Sequence, residues 1–456
     1  MDLSDLLARN EGKTLEFKRD LSSPAPVLRT LVAFANTAGG TLLFGVEDAT
    51  RDVIGVTDPL ALAERLTNMA SDSIEPRLVP EIEILPWRKK YLVGVEVYPS
   101  PSRPHHIARD GQAGGIYVRV GSTNRRADDE LIAEMRRSVR GESFDEQPVP
   151  ELDSEALDFR VASESFAPVR KLRPKDLATL RLVTTHQGRT VPTVGGILLF
   201  GTDRERQFPD AWIQAGRFDG TDKSRIIDRT EIHSDPVHAV QDAITFVQKH
   251  AMFGAEIGSV KRTERWSVPP VALREAVINA VAHADYAQRG APIRVSVFDD
   301  RVEVENPGLL PFGLTIDDLE RGVSKLRNRV IGRVFHELGL IEQWGSGVQR
   351  MISACRDAGL APPTFEELGH RFRVTLHTDS IDAPKLDVVD QAIVNAISES
   401  NGLTTAQISA VIALTPRTTR TRLAKLRDRG LIREIGSGPN ERESTECSEL
   451  SPSTHK

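Results

Sequence analysis

The sequence predicts an α+β protein of several domains, and three observations carry that expectation. The 456 residues amount to roughly three domains at about 150 residues each. Helical and strand periodicities are mixed along the chain, with hairpins among the strands. Composition also shifts twice: residues 141–174 are rich in Glu, Ser, Asp and Pro, and residues 437–456 in Ser, Glu, Pro and Thr.

Taken in order, MDLSDLLARN reads as a polar helix and TLEFKRDL as the start of a strand. APVLRTLVAFANTAGG is a helix with Leu28, Leu31, Val32 and Ala35 as its apolar face, closed by Gly39 and Gly40. TLLFGVED and VIGVTDP read as strands, EIEILPWRKKYLVGVEVYP as a hairpin, and GIYVRVGSTNRRAD as a strand followed by a basic loop. VGGILLFG at 194–201 reads as a strand, and DPVHAVQDAITFVQKH as a helix capped by Ser234. A helix at 270–284 precedes PIRVSVFDD and RVEVENPG, two strands joined at Asp299-Asp300. SKLRNRVIGRVFHELGLIEQWGSGVQRMISACRDAGL is helix, glycine loop, helix, and RFRVTLHT is a closing strand. From Leu386, three helices and a strand with a turn follow, and residues 437–456 are expected to be disordered.

Composition bounds the function. At 39% hydrophobic residues the chain can bury ordinary cores. The net charge of -6 makes any nucleic-acid surface a local one. Cys355 and Cys447 stand alone without a CxxC, which argues against a thiolate zinc site and a disulfide framework. No signal peptide and no apolar run of about 20 residues appear, so a cytoplasmic protein without membrane contact is expected.

The C-terminal helices match a winged helix-turn-helix. Thr404 caps the second helix and Pro416 opens the third, which carries Arg417, Arg420, Arg422, Lys425, Arg427 and Arg429. In that fold the last helix enters the major groove. Thr418, Thr419 and Arg422 are then placed to read bases, and Arg417, Arg420 and Lys425 to neutralise phosphates. A solvated helix or a dimerisation module would show the same pattern.

In LREAVINAVAHADY, Glu275, Asn279 and His283 fall at i, i+4 and i+8 on one helix face. An Asn offers an oxygen to Mg²⁺, and Gly345-Ser346-Gly347 opens a helix whose free N–H groups suit a phosphate. With VENPG, RNRVIGRVF and EQWGSGVQRM, this stretch resembles the divergent ATP-binding domain of the gyrase, heat-shock-ninety, histidine-kinase and mismatch-repair superfamily, a Bergerat-type α/β sandwich. The resemblance implies ATP as cofactor, Asn279 as Mg²⁺ ligand, Glu275 as general base, and Asn306, Gly308, Gly345, Ser346 and Gly347 around the nucleotide. The superfamily's adenine-reading Asp is replaced by Asn306-Pro307-Gly308.

Near the N-terminus, Glu11, Glu16 and Lys18 are followed by Glu47 and Asp48. Carboxylates gathered beside a lysine hold divalent metals for phosphodiester cleavage, and equally make exposed ion pairs. EGKTLEFKRDL, LVAFANTAGGTLLFGVED, VIGV and YVRVGSTNRRA together resemble the Schlafen, Alba-like domain. In bacteria that resemblance implies nucleic-acid binding, here through Arg119, Arg125 and Arg126. In animal Schlafen proteins a related fold cleaves RNA with two glutamates and an aspartate. Carried over, this makes Glu11, Glu16 and Asp48 ligands of Mg²⁺ or Mn²⁺ and catalytic, with Lys18 beside them.

The expected organisation is a Schlafen-type α/β domain at 1–140, a linker or crossing segment at 141–189, the ATP-binding domain at 190–380, the winged helix at 386–436 and a tail at 437–456. The leading functional expectation is an ATP-responsive, DNA-binding transcriptional regulator acting as a homodimer or higher homo-oligomer. The alternative is a Schlafen-type metal-dependent endoribonuclease or DNase, acting on tRNA, other RNA or DNA in phage defence. A weak ATPase activity is compatible with either.

Overall fold

The structure, a computed structural model, describes residues 3–48, 50–257, 262–342, 345–378, 388–399, 403–412, 414–428, 432–435 and 444–447. The chain forms two compact units, Met1–Ile381 and Asp382–Lys456.

The first unit opens with α1 (Leu3–Ala8), β1 (Leu15–Lys18), α2 (Pro24–Asn36), β2 (Gly40–Phe44), α3 (Pro59–Ser73), β3 (Glu81–Trp87) and β4 (Lys90–Val97). The strands form one sheet in the order β1-β2-β4-β3, parallel between β1 and β2 and antiparallel elsewhere. Pro24 sits in the first turn of α2, where its missing N–H costs nothing. Nearly every side of that helix is apolar, and Val27, Leu28, Leu31, Val32 and Phe34 are buried against the sheet. After it Gly39 turns at φ +77, and a Cβ there would lie 2.6 Å from the Val97 carbonyl, so only glycine fits. The expected strand VIGVTDP reduces to a single bridge between Val46 and Val53. Gly55, at φ +81, turns the chain away before a ladder can grow, and Asp58 then caps α3. The expected basic loop after β5 (Tyr117–Val120) is instead a strand, β6 (Thr123–Arg126), paired antiparallel with it. Helix α4 (Asp129–Arg140) follows, capped by Asp128.

Residues 141–189 do more than link. Leu157, Phe166, Leu172 and Leu180 lie in the same core as the elements that follow. The expected strand at 194–201 is a helix, α5 (Val194–Phe200), capped by Thr193. A short wholly apolar run does not distinguish a buried strand from a buried helix, and here close packing decides. Gly195 lies against Val330, and Gly196 against the Leu182 carbonyl.

Then come β7 (Ile213–Phe218), β8 (Ile226–Ile232), α6 (Pro236–His250), α7 (Pro270–His283), β9 (Ile293–Val297), β10 (Arg301–Pro307), α8 (Arg329–Glu337), α9 (Gly347–Asp357), β11 (Thr364–Leu368) and β12 (Arg371–His377). They build a six-stranded sheet in the order β8-β7-β9-β10-β12-β11, with β7 and β9 parallel and the other pairs antiparallel. Ala239, Val240 and Ala243 of α6 and Ala272, Ala276 and Val277 of α7 share a core with Val295, Val302, Val304 and Leu376 of the sheet. The result is an α/β sandwich with α7 as its central helix. Asp235, not Ser234, caps α6 by accepting the N–H groups of Val237 and His238, while Ser234 donates to Asp242.

The second unit consists of α10 (Val388–Glu399), α11 (Thr405–Val411), α12 (Pro416–Asp428) and the antiparallel pair β13 (Ile432–Ile435) and β14 (Ser444–Cys447). Ile393, Ile397, Ile408, Leu423, Leu426 and Ile432 form its core. Thr404 caps α11 in a reciprocal box with Gln407. Part of the expected tail is thus a strand, which covers the edge of β13. Arg429 and residues 436–443 and 448–456 lie outside the described residues, as do Gln343 and Trp344. No described helix is long and apolar enough to cross a membrane.

Candidate nucleotide and nucleic-acid sites

Helix α9 packs on α7 through its first glycine. A Cβ at Gly347 would come 2.7 Å from Glu275 Oε2 and 3.5 Å from Asn279 Nδ2, so the bare backbone permits the approach. Glu275 is buried at 4% exposure, and its carboxylate is held by Arg350 at 3.0 Å and Arg274 at 3.5 Å. Burial opposes the charge of Arg350, but Glu275 and Glu342 outweigh it and hold its pKa up. The half-buried Asn279 side chain has no hydrogen bond among the described residues. Its amide oxygen is therefore available, and an amide oxygen suits Mg²⁺. Gly345, at φ +66, folds the loop against the Gly322 carbonyl, and Ser346 donates to Glu342 at 3.2 Å.

At the end of β10, Asn306 donates to the Pro307 carbonyl at 3.0 Å, and Gly308 turns at φ +99 between Asp285 and Arg327. Asp285 gives its N–H to the Pro307 carbonyl at 2.9 Å, and its carboxylate accepts from Ala287 and Gln288. A cavity of about 210 Å³ opens beside it, lined among others by Phe144, Phe208, Tyr286, Gln288 and Pro307. Burial, helped by the Arg327 guanidinium, pushes His283 down to about 4, so its imidazole is neutral at neutral pH.

This end of the sandwich is built together with the N-terminal sheet region. Leu309 and Phe312, just after the Gly308 turn, share a core with Val118, Val120, Leu131 and Met135 of β5 and α4. Lys13 meets Glu367 at 2.6 Å, Glu367 accepts the Leu310 N–H at 2.8 Å, and the Thr37 carbonyl accepts the Gly313 N–H at 3.0 Å. Arg327 pairs with Glu134 of α4. Just past α4, fully buried Asp145 accepts the N–H groups of Arg329, Val330 and Ile331 at the start of α8, and the Ser143 hydroxyl. Burial pushes the Asp145 carboxyl up to about 6.

The N-terminal carboxylates sit in a network of cations. Glu16, 7% exposed, accepts from Arg119 at 2.6 Å, Lys18 at 2.8 Å and the Thr30 hydroxyl at 3.1 Å. Glu11 accepts the Phe17 N–H at 2.7 Å, and Asp48 lies exposed, 3.4 Å from Lys18. Burial lowers the Lys18 pKa, but Glu16 and Asp48 reverse the shift and raise it. Both Glu16 oxygens therefore already face donors. Among the described residues no group of three or more His, Cys, Asp and Glu gathers to hold a metal. These residues do not fit a divalent ion as they stand.

On α12, Arg417, Thr418, Arg420, Lys425 and Arg427 are exposed. Thr419 is buried and bonds Ser409 and the Thr415 carbonyl, and Arg422 pairs with Asp390 of α10 at 2.6 Å.

Comparison with known proteins finds family matches over three stretches of the chain. Residues 11–128 match the family "Schlafen, AlbA_2", residues 290–376 the family "Putative ATP-dependent DNA helicase recG C-terminal", and residues 386–433 the family "Winged helix-turn-helix DNA-binding". The chain carries a Schlafen-type domain, an ATPase-like domain and a winged helix. Among solved structures it is similar to the DIP2311 protein from Corynebacterium diphtheriae, at 17% identity and a TM-score of 0.40 over 98% of each chain. It is also similar to the N-terminal domain of a RecG-related protein from Nitrosomonas europaea, at 29% identity and a TM-score of 0.22 over 27% of this chain and 92% of that one. No curated protein matches the chain in sequence.

In the ATPase-like domain the structure brings Glu275, Asn279 and Gly347 together, and sets Asn306 and Gly308 beside Asp285 instead. Glu275 is placed as the partner of Arg350 and Arg274, not as a free base. Two expected nucleic-acid contacts are corrected. Arg119 of the Schlafen-type domain is 1% exposed and locked to Glu16, and Thr419 of the winged helix is 0% exposed, so neither reaches a groove or a phosphate. Arg125 and Arg126 are exposed on β6. Sequence reading missed Arg350, Arg327, Glu134, Asp145 and Asp285. Of these, Arg350 carried a signal, standing three residues beyond Gly347 on the helix that the glycine loop opens.

Proposed function

We propose that the protein is a DNA-binding regulator whose hold on DNA responds to a nucleotide in its ATPase-like domain. The observation that carries this reading is the seam at Leu309 and Phe312, where the turn beside the nucleotide residues is part of the core of the Schlafen-type domain. Mg²⁺–ATP would be held by Asn279 and by the backbone of Gly345, Ser346 and Gly347; the ion would neutralise phosphate charge there. Since α9 lies on Glu275 and Asn279, entry of a phosphate chain has to move that helix start. A ligand shifts a protein's state when it binds the two states unequally, and a site that must open meets that condition. On the DNA side, Arg417, Thr418, Arg420 and Lys425 present donors and charge from one exposed helix, and Arg125 and Arg126 add charge from the Schlafen-type domain. A homodimer would give two such helices to one duplex.

The test is fluorescence anisotropy with labelled duplex DNA, with and without Mg²⁺–ATP. We expect Mg²⁺–ATP to change the DNA affinity at least threefold, and Asn279→Ala to remove that change while leaving affinity without nucleotide intact. Equal affinity with and without Mg²⁺–ATP in the wild type overturns the reading. Metal-dependent cleavage at Glu11, Glu16 and Asp48 is the weaker reading, because Arg119, Lys18 and Thr30 already occupy Glu16. Mn²⁺-dependent cutting of tRNA or DNA that disappears in Asp48→Asn would restore it.

A further inference from the structure

Three cations surround the loop Leu309–Phe312. The Arg103 guanidinium lies over the Phe312 ring at 5.2 Å, Lys325 donates to the Phe312 carbonyl at 3.1 Å, and Arg327 donates to the Leu309 carbonyl and pairs with Glu134. Arg103 has no hydrogen bond or ion pair among the described residues, and its Nε and Nη1, together with Nε of Arg327, are buried without an acceptor. Burial draws the pKa values of Arg103 and Lys325 down, and Arg103, Arg329 and Arg327 repel Lys325 further. Stacking on Phe312 accounts for the face of the Arg103 guanidinium and leaves its edge N–H groups without a partner. Withdrawing such groups from water without an acceptor is costly, and the protein as a whole carries an excess of acid. The arrangement presents buried donors that no protein acceptor meets.

We propose that Arg103, Lys325 and Arg327 form a binding site for a phosphoanion at the seam between the Schlafen-type domain and the Gly308 turn. Arg103, Lys325 and Arg327, with Arg329 nearby, outnumber the carboxylates Glu134 and Asp285 around them, and a phosphoanion would offset that positive charge. Guanidinium edges pair with two phosphate oxygens at once. Lys325 is exposed and marks the side of entry. None of the three residues belongs to the proposed Asn279 and Gly347 site, so the inference stands without that reading. The anion is either the phosphate chain of a nucleotide or a free phosphoanion, and each source has its own signature.

The experiment is titration calorimetry of the full chain with sodium pyrophosphate and, separately, with Mg²⁺–ATP. Wild type, Arg103→Gln, Lys325→Gln and Asn279→Ala are compared, with folding checked by thermal midpoint. Pyrophosphate is expected to bind the wild type, to bind each Gln variant at least fivefold more weakly, and to bind Asn279→Ala unchanged. A matching loss of Mg²⁺–ATP affinity in Arg103→Gln identifies the nucleotide as the source; unchanged Mg²⁺–ATP affinity identifies a free phosphoanion. Lys325 is exposed, so its variant reports on binding even where Arg103→Gln folds poorly. Absence of pyrophosphate binding by the wild type, or equal binding by wild type and both Gln variants, overturns the proposal. Pyrophosphate binding without any Mg²⁺–ATP binding would instead sink the nucleotide reading and leave this one standing.

Discussion

Glu16 shows how one side chain changes the meaning of an experiment. Its removal by Glu16→Ala strands Arg119, whose side chain is 2% exposed, and breaking one partner of a buried pair costs about 3–5 kcal/mol. We expect the urea midpoint of Glu16→Ala to fall well below the wild type. Asp48→Asn, at a side chain 51% exposed, should stay within about 0.5 kcal/mol. A loss of activity in Glu16→Ala would thus report on folding, and Asp48→Asn is the cleaner probe of chemistry. His283 makes a pH prediction. Its folded value of about 4 lies below the ordinary 6.5, so the unfolded chain binds more protons between those values. The stability it contributes is present above about pH 6.5 and is lost as pH falls toward 4, by about 3 kcal/mol in full. The stability gap between wild type and His283→Gln should shrink across that range in urea unfolding. Residue types were legible here, since Asn279, Gly347 and Glu16 all occupy notable places. Their partners were not, because Arg119 and Glu16 meet across 103 positions and no local pattern encodes such a meeting.

Helices announced themselves where helical spacing or a terminal signal stood out, as in α2, α7 and α11, and failed where an apolar run was too short to show a period. Helix α5 is the case in point. Its conformation is fixed by Gly196 lying on the Leu182 carbonyl, a contact with an element the local sequence does not name. Gly196→Ala should therefore be destabilising by about 1–3 kcal/mol or more, read as a lower thermal midpoint; an unchanged midpoint would mean the contact is not tight. Strands β7 and β8 went unread for the opposite reason: Asp228, Arg229, Thr230 and Glu231 are polar in succession and Gly216 stands in the middle of β7, so no apolar alternation marks either strand. The winged helix was the most legible element, since a capping threonine and a proline fixed the helix starts. Its exposed face predicts that Arg417→Ala with Arg420→Ala weakens DNA binding and lowers the salt slope by about 2. A slope equal to wild type would place those arginines away from the phosphates.

At the scale of the first unit, the Schlafen-type and ATPase-like domains share a core, an ion pair between Arg327 and Glu134, and the Asp145 cap on α8. The sequence showed each domain separately, because each has its own pattern, and showed nothing of the seam, which uses residues that read as ordinary loop. Phe312→Ala tests its role. It should leave basal DNA binding in place and abolish the effect of Mg²⁺–ATP on it, measured by the same anisotropy titration. The shared core also has a history within each molecule's lifetime. Val118, Leu131 and Met135 leave the ribosome about 175 to 195 residues before Leu309 and Phe312, which complete their packing. At about 5–20 residues per second that interval is on the order of ten to forty seconds. During that time a nascent chain carries an uncovered apolar face, so slower translation between the two domains should raise its demand for chaperones.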